Sequence, residues 1–233
     1  MTPRKKELLT VLLIALALAA VFVSLPGVDL MASGLFYHDG KWLLERDSLW
    51  LYPIFEGLPP LGRLVLVTIA VLWGASLLDR HGKLRSKRPV LTFLLVGILI
   101  GPVLVAGIGL KEHSGRARPI NVQEFGGKKE FSPAFVPANQ CIKNCSFVSG
   151  HVVGASFIMA FGWLGTAVQR RRWLLGSLAA AVVVGVVRMV PGGHFLSDVT
   201  FAWVFVYFSL WLTEGLLRLV YWRKPDFDES LQC

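Results

Sequence analysis

Apolar residues run in long unbroken stretches along this chain, and the polar ones gather between them. Six stretches are long enough, or nearly so, to cross a bilayer: residues 8–25, 61–78, 90–110, 152–168, 174–190 and 199–219. The second holds Arg63, whose long side chain can snorkel to an interface. The fourth and fifth are short and joined by a tight basic turn, so they read as a helical hairpin. The pattern predicts an all-α integral membrane protein, a bundle of six transmembrane helices. No repeat or low-complexity linker interrupts it, which predicts one membrane-embedded domain over residues 1–233.

The first stretch follows Arg4, Lys5 and Lys6, as a signal peptide would. Its apolar core is longer than a signal peptide needs, and it leads into Leu25-Pro26-Gly27-Val28 with no small-x-small cleavage site, so it reads as an uncleaved helix. The basic residues of the short connections set the orientation. Arg4, Lys5, Lys6, then Arg80, Lys83, Arg85, Lys87, Arg88, then Arg170, Arg171, Arg172, then Arg218, Arg223 and Lys224 fall on one side. They face six acids there (Glu7, Asp79, Glu214, Asp226, Asp228 and Glu229), so that side holds +8 of the formal net charge of +9. It is read as cytoplasmic, with both termini inside a bacterial-type inner membrane. Because these charges sit in turns beside apolar helices, they are topology signals and anionic-lipid contacts. A nucleic-acid-binding face is excluded on the same ground.

Composition agrees: 54% of residues are hydrophobic and only 17% charged, too little charge for a soluble domain of this length. Two polar stretches fall on the other side. Residues 26–60 carry Phe36, Tyr37, Trp42, Trp50 and Tyr52, which suit an interfacial stretch along the headgroups. Residues 111–149 form a long loop rich in Gly, Pro, Lys and Asn, and a loop of that length is usually functional. Cys141 and Cys145 lie in it; four residues apart, they fit either a small disulfide loop or two free thiols. No second Cys or His pair accompanies them, as a zinc site would require. Cys233 falls in the cytoplasmic tail.

Three polar clusters reach this same side. Lys111 and Arg118 flank the outer end of the third helix, a point charge and a planar fork suited to phosphate oxygens, or else interface anchors. Ser149, Gly150 and His151 open the fourth helix, where unpaired amides and the helix dipole attract an anion. Ser149 also fits an N-cap, Gly150 allows close backbone approach, and His151 can protonate a leaving alkoxide. His194 and Asp198 are four apart and share a face if the sixth helix includes both. An Asp that accepts from one imidazole nitrogen leaves the other nucleophilic. The same spacing could seat two metal ligands, but few partners stand nearby, and His38 and His113 form no matching pair. Arg188 adds a third cation, unless it snorkels.

In order and spacing these clusters resemble the three signature motifs of the type-2 phosphatidic acid phosphatase superfamily. They read Lys111-Glu-His-Ser-Gly-Arg-Ala-Arg118-Pro119, then Ser146-Phe-Val-Ser149-Gly150-His151, then Arg188-Met-Val-Pro-Gly-Gly-His194-Phe-Leu-Ser-Asp198. With the six-helix layout, the resemblance spans nearly the whole chain. Two positions depart from the family pattern: Val148 stands where proline is usual, and Val187 where serine is usual. The first loosens a turn; the second removes a hydroxyl that would touch phosphate.

The resemblance implies a metal-independent lipid phosphatase without cofactors. Lys111, Arg118, Arg188, Ser149 and the Gly150 amide would hold the phosphoryl group. His194, oriented by Asp198, would attack phosphorus to give a phosphohistidine, with His151 protonating the departing oxygen. The membrane spans set the chain apart from the soluble haloperoxidases of the superfamily. The Cys-x-x-x-Cys-Ser-Phe-Val-Ser-Gly-His stretch looks like bacterial lipid A phosphatases, and Lys128, Lys129 and Lys143 in the loop could meet a bulky anionic glycolipid, or simply be solvated. Phosphatidylglycerophosphate, phosphatidic acid and undecaprenyl phosphates are alternative substrates, and lipid-to-lipid phosphotransfer an alternative reaction. A transporter with a vestigial site would need ionisable groups near the bilayer midplane, which these helices largely lack.

Overall fold

In the computed structural model the chain is described over residues 2–80 and 82–221, and Cys233 and the tail charges Arg223, Lys224, Asp226, Asp228 and Glu229 lie outside the described residues. The described part is mostly helical. Helix α1 (Pro3–Ser24) starts at Thr2, whose hydroxyl caps the Lys5 amide, with Pro3 in the first turn. A short α2 (Gly27–Gly34) and a two-rung hairpin, β1 (Tyr37–His38) with β2 (Lys41–Trp42), follow. Then come α3 (Tyr52–Leu78) and α4 (Arg88–Ile98), which continues into a wider-wound stretch, Leu99–Lys111, around Pro102. After the loop come α5 (Gly150–Ser156), tightening into Phe157–Trp163, then α6 (Ala167–Met189) and α7 (Leu196–Tyr221).

Five helical stretches are long and apolar enough to cross a membrane: Pro3–Ser24, Tyr52–Leu78, Arg85–Lys111, Ala167–Met189 and Leu196–Val220. The fourth predicted span is shorter than expected, an apolar helix over Gly150–Trp163. Its end is decided by the next helix. Thr166 and Gln169 form a reciprocal capping box, which starts α6 at Ala167 and leaves Leu164 and Gly165 for the turn. The second span is longer than expected. The apolar stretch begins at residue 61, yet α3 passes back through Pro59 and Pro60 to Tyr52.

Helix α7 is the centre of the packing. Phe201, Ala202, Val206, Tyr207 and Leu210 on it are all at most 3% exposed. Helix α4 approaches it through small residues, as membrane helices do. A Cβ on Gly101 would stand 3.1 Å from the Ser209 Cβ. At one end of the bundle, ion pairs tie three helix ends together. Arg170 on α6 meets Glu7 on α1 at 2.7 Å, Tyr207 donates to the same carboxylate at 2.9 Å, and Arg4 meets Glu214 on α7 at 2.5 Å. The polar clusters stand at the opposite ends of α6 and α7.

The aromatic stretch before α3 divides. Trp50 stays 83% exposed, as an interfacial residue would be. Tyr37 and Trp42 instead turn inward and pack edge-on against Phe125 of the long loop. They cover a small second core made by Ala117, Val122, Phe125 and Phe195, which pins that loop over the start of α7.

Replacing Gly101 with leucine should force the Leu99–Lys111 stretch away from α7. The expected loss is about 1–3 kcal/mol, the usual cost of overpacking, read as a lower melting temperature in detergent; an unchanged value would contradict the packing described.

Candidate active site

Arg188 closes the last turn of α6, and a tight turn then carries the chain to His194. Gly192 adopts φ +67, and a Cβ there would stand 2.5 Å from the Trp42 ring, so only glycine fits. His194 precedes α7 by two residues rather than lying within it as expected. It still faces Asp198, with Nδ1 3.6 Å from Asp198 Oδ2, but its nearer partner is the Ser146 carbonyl at 2.9 Å. Nδ1 therefore carries the proton and donates it, and Nε2 keeps its lone pair. Asp198 is fully buried and accepts from Arg116 Nη1 at 2.6 Å, Ser146 Oγ at 2.5 Å and the Phe195 amide at 2.8 Å. The Ser149 amide donates to the Asp198 carbonyl at 3.1 Å, so the second and third clusters are joined through backbone as well.

Ser149 does occupy the N-cap position of α5, but its side chain caps nothing. Its buried Oγ has no protein partner, and neither has the buried Nε of Arg188. Buried donors of this kind are open to a ligand oxygen or an ordered water. Arg188 is 4% exposed, so it does not snorkel; its guanidinium lies 3.8 Å from the Phe55 ring centroid. Lys111 reaches the Cys145 carbonyl at 3.3 Å and runs beside Gly150, whose Cβ would stand 3.6 Å from Lys111 Cε. Arg118 donates to the Asn144 carbonyl at 3.0 Å. Cys141 and Cys145 are joined in a disulfide, so the loop that supplies both carbonyls is closed covalently. The Phe147–Val148 peptide is cis, and Val148 is wholly buried. Val187 is half-buried, and nothing in the structure shows what its change from serine does.

His151 is held from an unexpected quarter. Its Nε2 donates to the Phe55 carbonyl at 3.1 Å. That carbonyl would normally serve the amide four residues on, which is Pro59 and has none. The proline thus frees the acceptor that fixes His151, and leaves Nδ1 for chemistry.

Electrostatics favour a neutral His194. Burial, with help from Arg188 and Arg118, pushes the His194 imidazole down to about 3, against the pull of Asp198. Burial also lowers the Arg118 guanidinium from its ordinary value. Among the described residues no three His, Cys, Asp or Glu side chains gather as a metal would need.

The structure brings the eight residues singled out from the sequence together at one end of the bundle. Four others escaped notice: Arg116, Asp29, Ser197 and Phe55. Arg116 lay in plain view between Lys111 and Arg118 but looked like one more loop cation. Asp29, Ser197 and Phe55 gave no signal, since their partners are distant in the chain.

A family model described as the PAP2 superfamily matches residues 90–223, which include all three clusters. The chain belongs to the PAP2 superfamily. Among PAP2-type relatives it is 33% identical over 219 residues to the lipid A 4'-phosphatase of Francisella tularensis subsp. novicida (strain U112), covering 88% of this chain and 91% of that one. It is 32% identical over 207 residues to the lipid A 4'-phosphatase of Rhizobium leguminosarum, covering 81% of this chain and 86% of the relative. The Rhizobium etli lipid A 4'-phosphatase is 33% identical over 207 residues, covering 81% and 78%. No solved structure matches the chain. The phosphatase reading of the three motifs is met by these likenesses, and the chain is a multi-pass membrane protein of that kind.

Two measurements follow from the site. Orthovanadate should fill the orphaned donors and raise the melting temperature, and Arg188→Ala should lose that rise. An imidazole kept neutral by the fold but free to protonate in the unfolded chain lowers stability as pH falls below its ordinary value of 6.5. The melting temperature should therefore drop between pH 7 and pH 5, and His194→Gln should flatten that part of the curve.

Proposed function

We propose that this protein removes the 4'-phosphate of lipid A at the periplasmic face of a bacterial inner membrane, through a phosphohistidine. The observation that carries the chemistry is the pair of buried, unpartnered donors, Ser149 Oγ and Arg188 Nε, in the same site as a neutral histidine whose Nε2 is unengaged. The lean to lipid A comes from relatives of that name, matched over most of their length. Lys128, Lys129 and Lys143 are exposed on the loop beside the site, where an anionic glycolipid headgroup would lie.

In this mechanism Lys111, Arg118 and Arg188 neutralise the phosphoryl oxygens, while Ser149 and the Gly150 amide donate to them. The Nε2 lone pair of His194 attacks phosphorus in line, and the bond to the sugar oxygen breaks. With Nε2–H committed to the Phe55 carbonyl, His151 acts as the imidazolium: the negative charge of the bound phosphate holds a second proton on Nδ1, and that proton passes to the departing oxygen, leaving His151 neutral. Water, deprotonated by the same His151, then cleaves the phosphorus–nitrogen bond and releases inorganic phosphate. Fixed cations do the work a metal does elsewhere, and no cofactor is needed.

The topology belongs to the same reading: one domain over residues 1–233, six crossings and both termini cytoplasmic. The Gly150–Trp163 stretch is short for a crossing, but its second half is wound tightly and rises further per residue. Seven residues at about 1.5 Å and seven at about 2.0 Å give roughly 25 Å, close to the roughly 30 Å of hydrocarbon.

Purified protein in detergent should release phosphate from lipid A with EDTA present, and His194→Ala should abolish release while still inserting in the membrane. Turnover by His194→Ala would sink the nucleophile assignment, and loss of wild-type turnover in EDTA would assign a metal.

A further inference from the structure

Asp29 and Arg116 have no role in the steps above, yet they are 0% and 1% exposed. Arg116 uses its whole guanidinium. Nε donates to the Ser132 carbonyl at 2.9 Å, Nη1 to Ser197 Oγ at 2.8 Å and to Asp198 Oδ1 at 2.6 Å, and Nη2 to Asp29 Oδ2 at 2.7 Å. The guanidinium centre lies 4.3 Å from the centroid of the Phe195 ring. Asp29 in turn accepts from the Ser197 amide at 2.8 Å and the Ser197 hydroxyl at 2.6 Å. It thus serves an amide in the first turn of α7 from a separate helix, α2, which lies before the first residue of the family match.

Taking two carboxylates and a guanidinium out of water is costly, and such clusters seldom stabilise a fold more than apolar packing would. What this cluster holds is Asp198. Arg116 fixes Oδ1, while Ser146 and the Phe195 amide fix Oδ2, so the carboxylate cannot turn away from His194. We propose that Arg116 and Asp29 are positioning residues that set the orientation and charge of Asp198 for His194, making the segment before the family core part of the catalytic apparatus. The proposal rests on His194 being the nucleophile.

The charged and titratable groups around the pair are Asp198 on α7, Arg188 on α6, Arg118 and Arg116 on the loop, Lys111 at the end of the α4 stretch, Asp29 on α2 and His151 on α5. Asp29, Arg116 and Asp198 together carry one net negative charge when both acids are ionised. Removing the guanidinium doubles that charge and favours a protonated imidazole; removing Asp29 as well restores it. Lysine keeps the charge but cannot span two carboxylates as the planar fork does.

The test measures phosphate release from lipid A in detergent micelles against pH for wild type, R116K, R116Q, R116Q/D29N and H194A, with folding checked by gel filtration and melting temperature. R116K should lose about 100-fold in kcat, with KM within about twofold and the acid limb of kcat/KM unmoved. R116Q should lose as much and have its acid limb raised by about one pH unit. R116Q/D29N should bring the limb back without recovering kcat. If R116Q does not fold, R116K and the charge-balanced double variant decide. A purely structural role predicts instead that KM rises with the loss of rate and that the limb stays put in every variant. That result, or R116K within about threefold of wild type, overturns the proposal. Turnover by H194A would overturn the nucleophile reading instead; an inactive H194A beside wild-type-like R116K and R116Q would overturn this inference alone.

Discussion

The carboxylate of Asp198 is the junction on which the site depends. It is 0% exposed, so its lone pairs have to be met by buried donors. Those donors come from three separate parts of the chain: the long loop through Arg116, the segment before α5 through Ser146, and the start of its own helix through Phe195. Each part also carries residues of the three polar clusters. Satisfying one carboxylate therefore draws Lys111 and Arg118, Ser149 and His151, and His194 toward a common point, while Arg188 arrives along α6.

Around this junction the segment before residue 90 forms an outer layer. Trp42 fills the space left by Gly192, Phe55 lies under the Arg188 guanidinium and lends its carbonyl to His151, and Asp29 completes the first turn of α7. The three motif clusters all fall within the stretch that the family model matches, and many of the groups that hold them still fall outside it. The far end of the bundle is built differently. There Glu7, Arg170, Tyr207 and Trp163 tie α1 to α6 and α7 with charge and aromatic faces, away from the chemistry.

Much of this was legible in the sequence, and for identifiable reasons. Long apolar runs announce helices because lipid leaves the backbone no other partner. That Lys111, Arg118, Ser149, His151, Arg188, His194 and Asp198 would gather could be read because their spacings within each cluster are local and match the family's motifs. Boundaries were less legible. The capping box at Thr166 shortened one span, and the prolines of α3 did not end it, because one orphaned carbonyl found a donor far along the chain. Arg116 was visible but ambiguous, since nothing local distinguishes a buried arginine from a solvated one. Asp29 was invisible, because its partners lie 87 and 168 residues away.

That carbonyl shows how little a chemical role need resemble chemistry. Pro59 is apolar, stands in a membrane helix and touches no reacting atom, so a survey of polar groups would pass over it. What it contributes is an omission: by having no hydrogen to give, it turns the Phe55 oxygen from a private rung of α3 into a public one. The tautomer of His151, and with it the nitrogen left unengaged, is written into the chain almost a hundred residues upstream. Helix α3 is thus both membrane anchor and the template that decides which way an imidazole points.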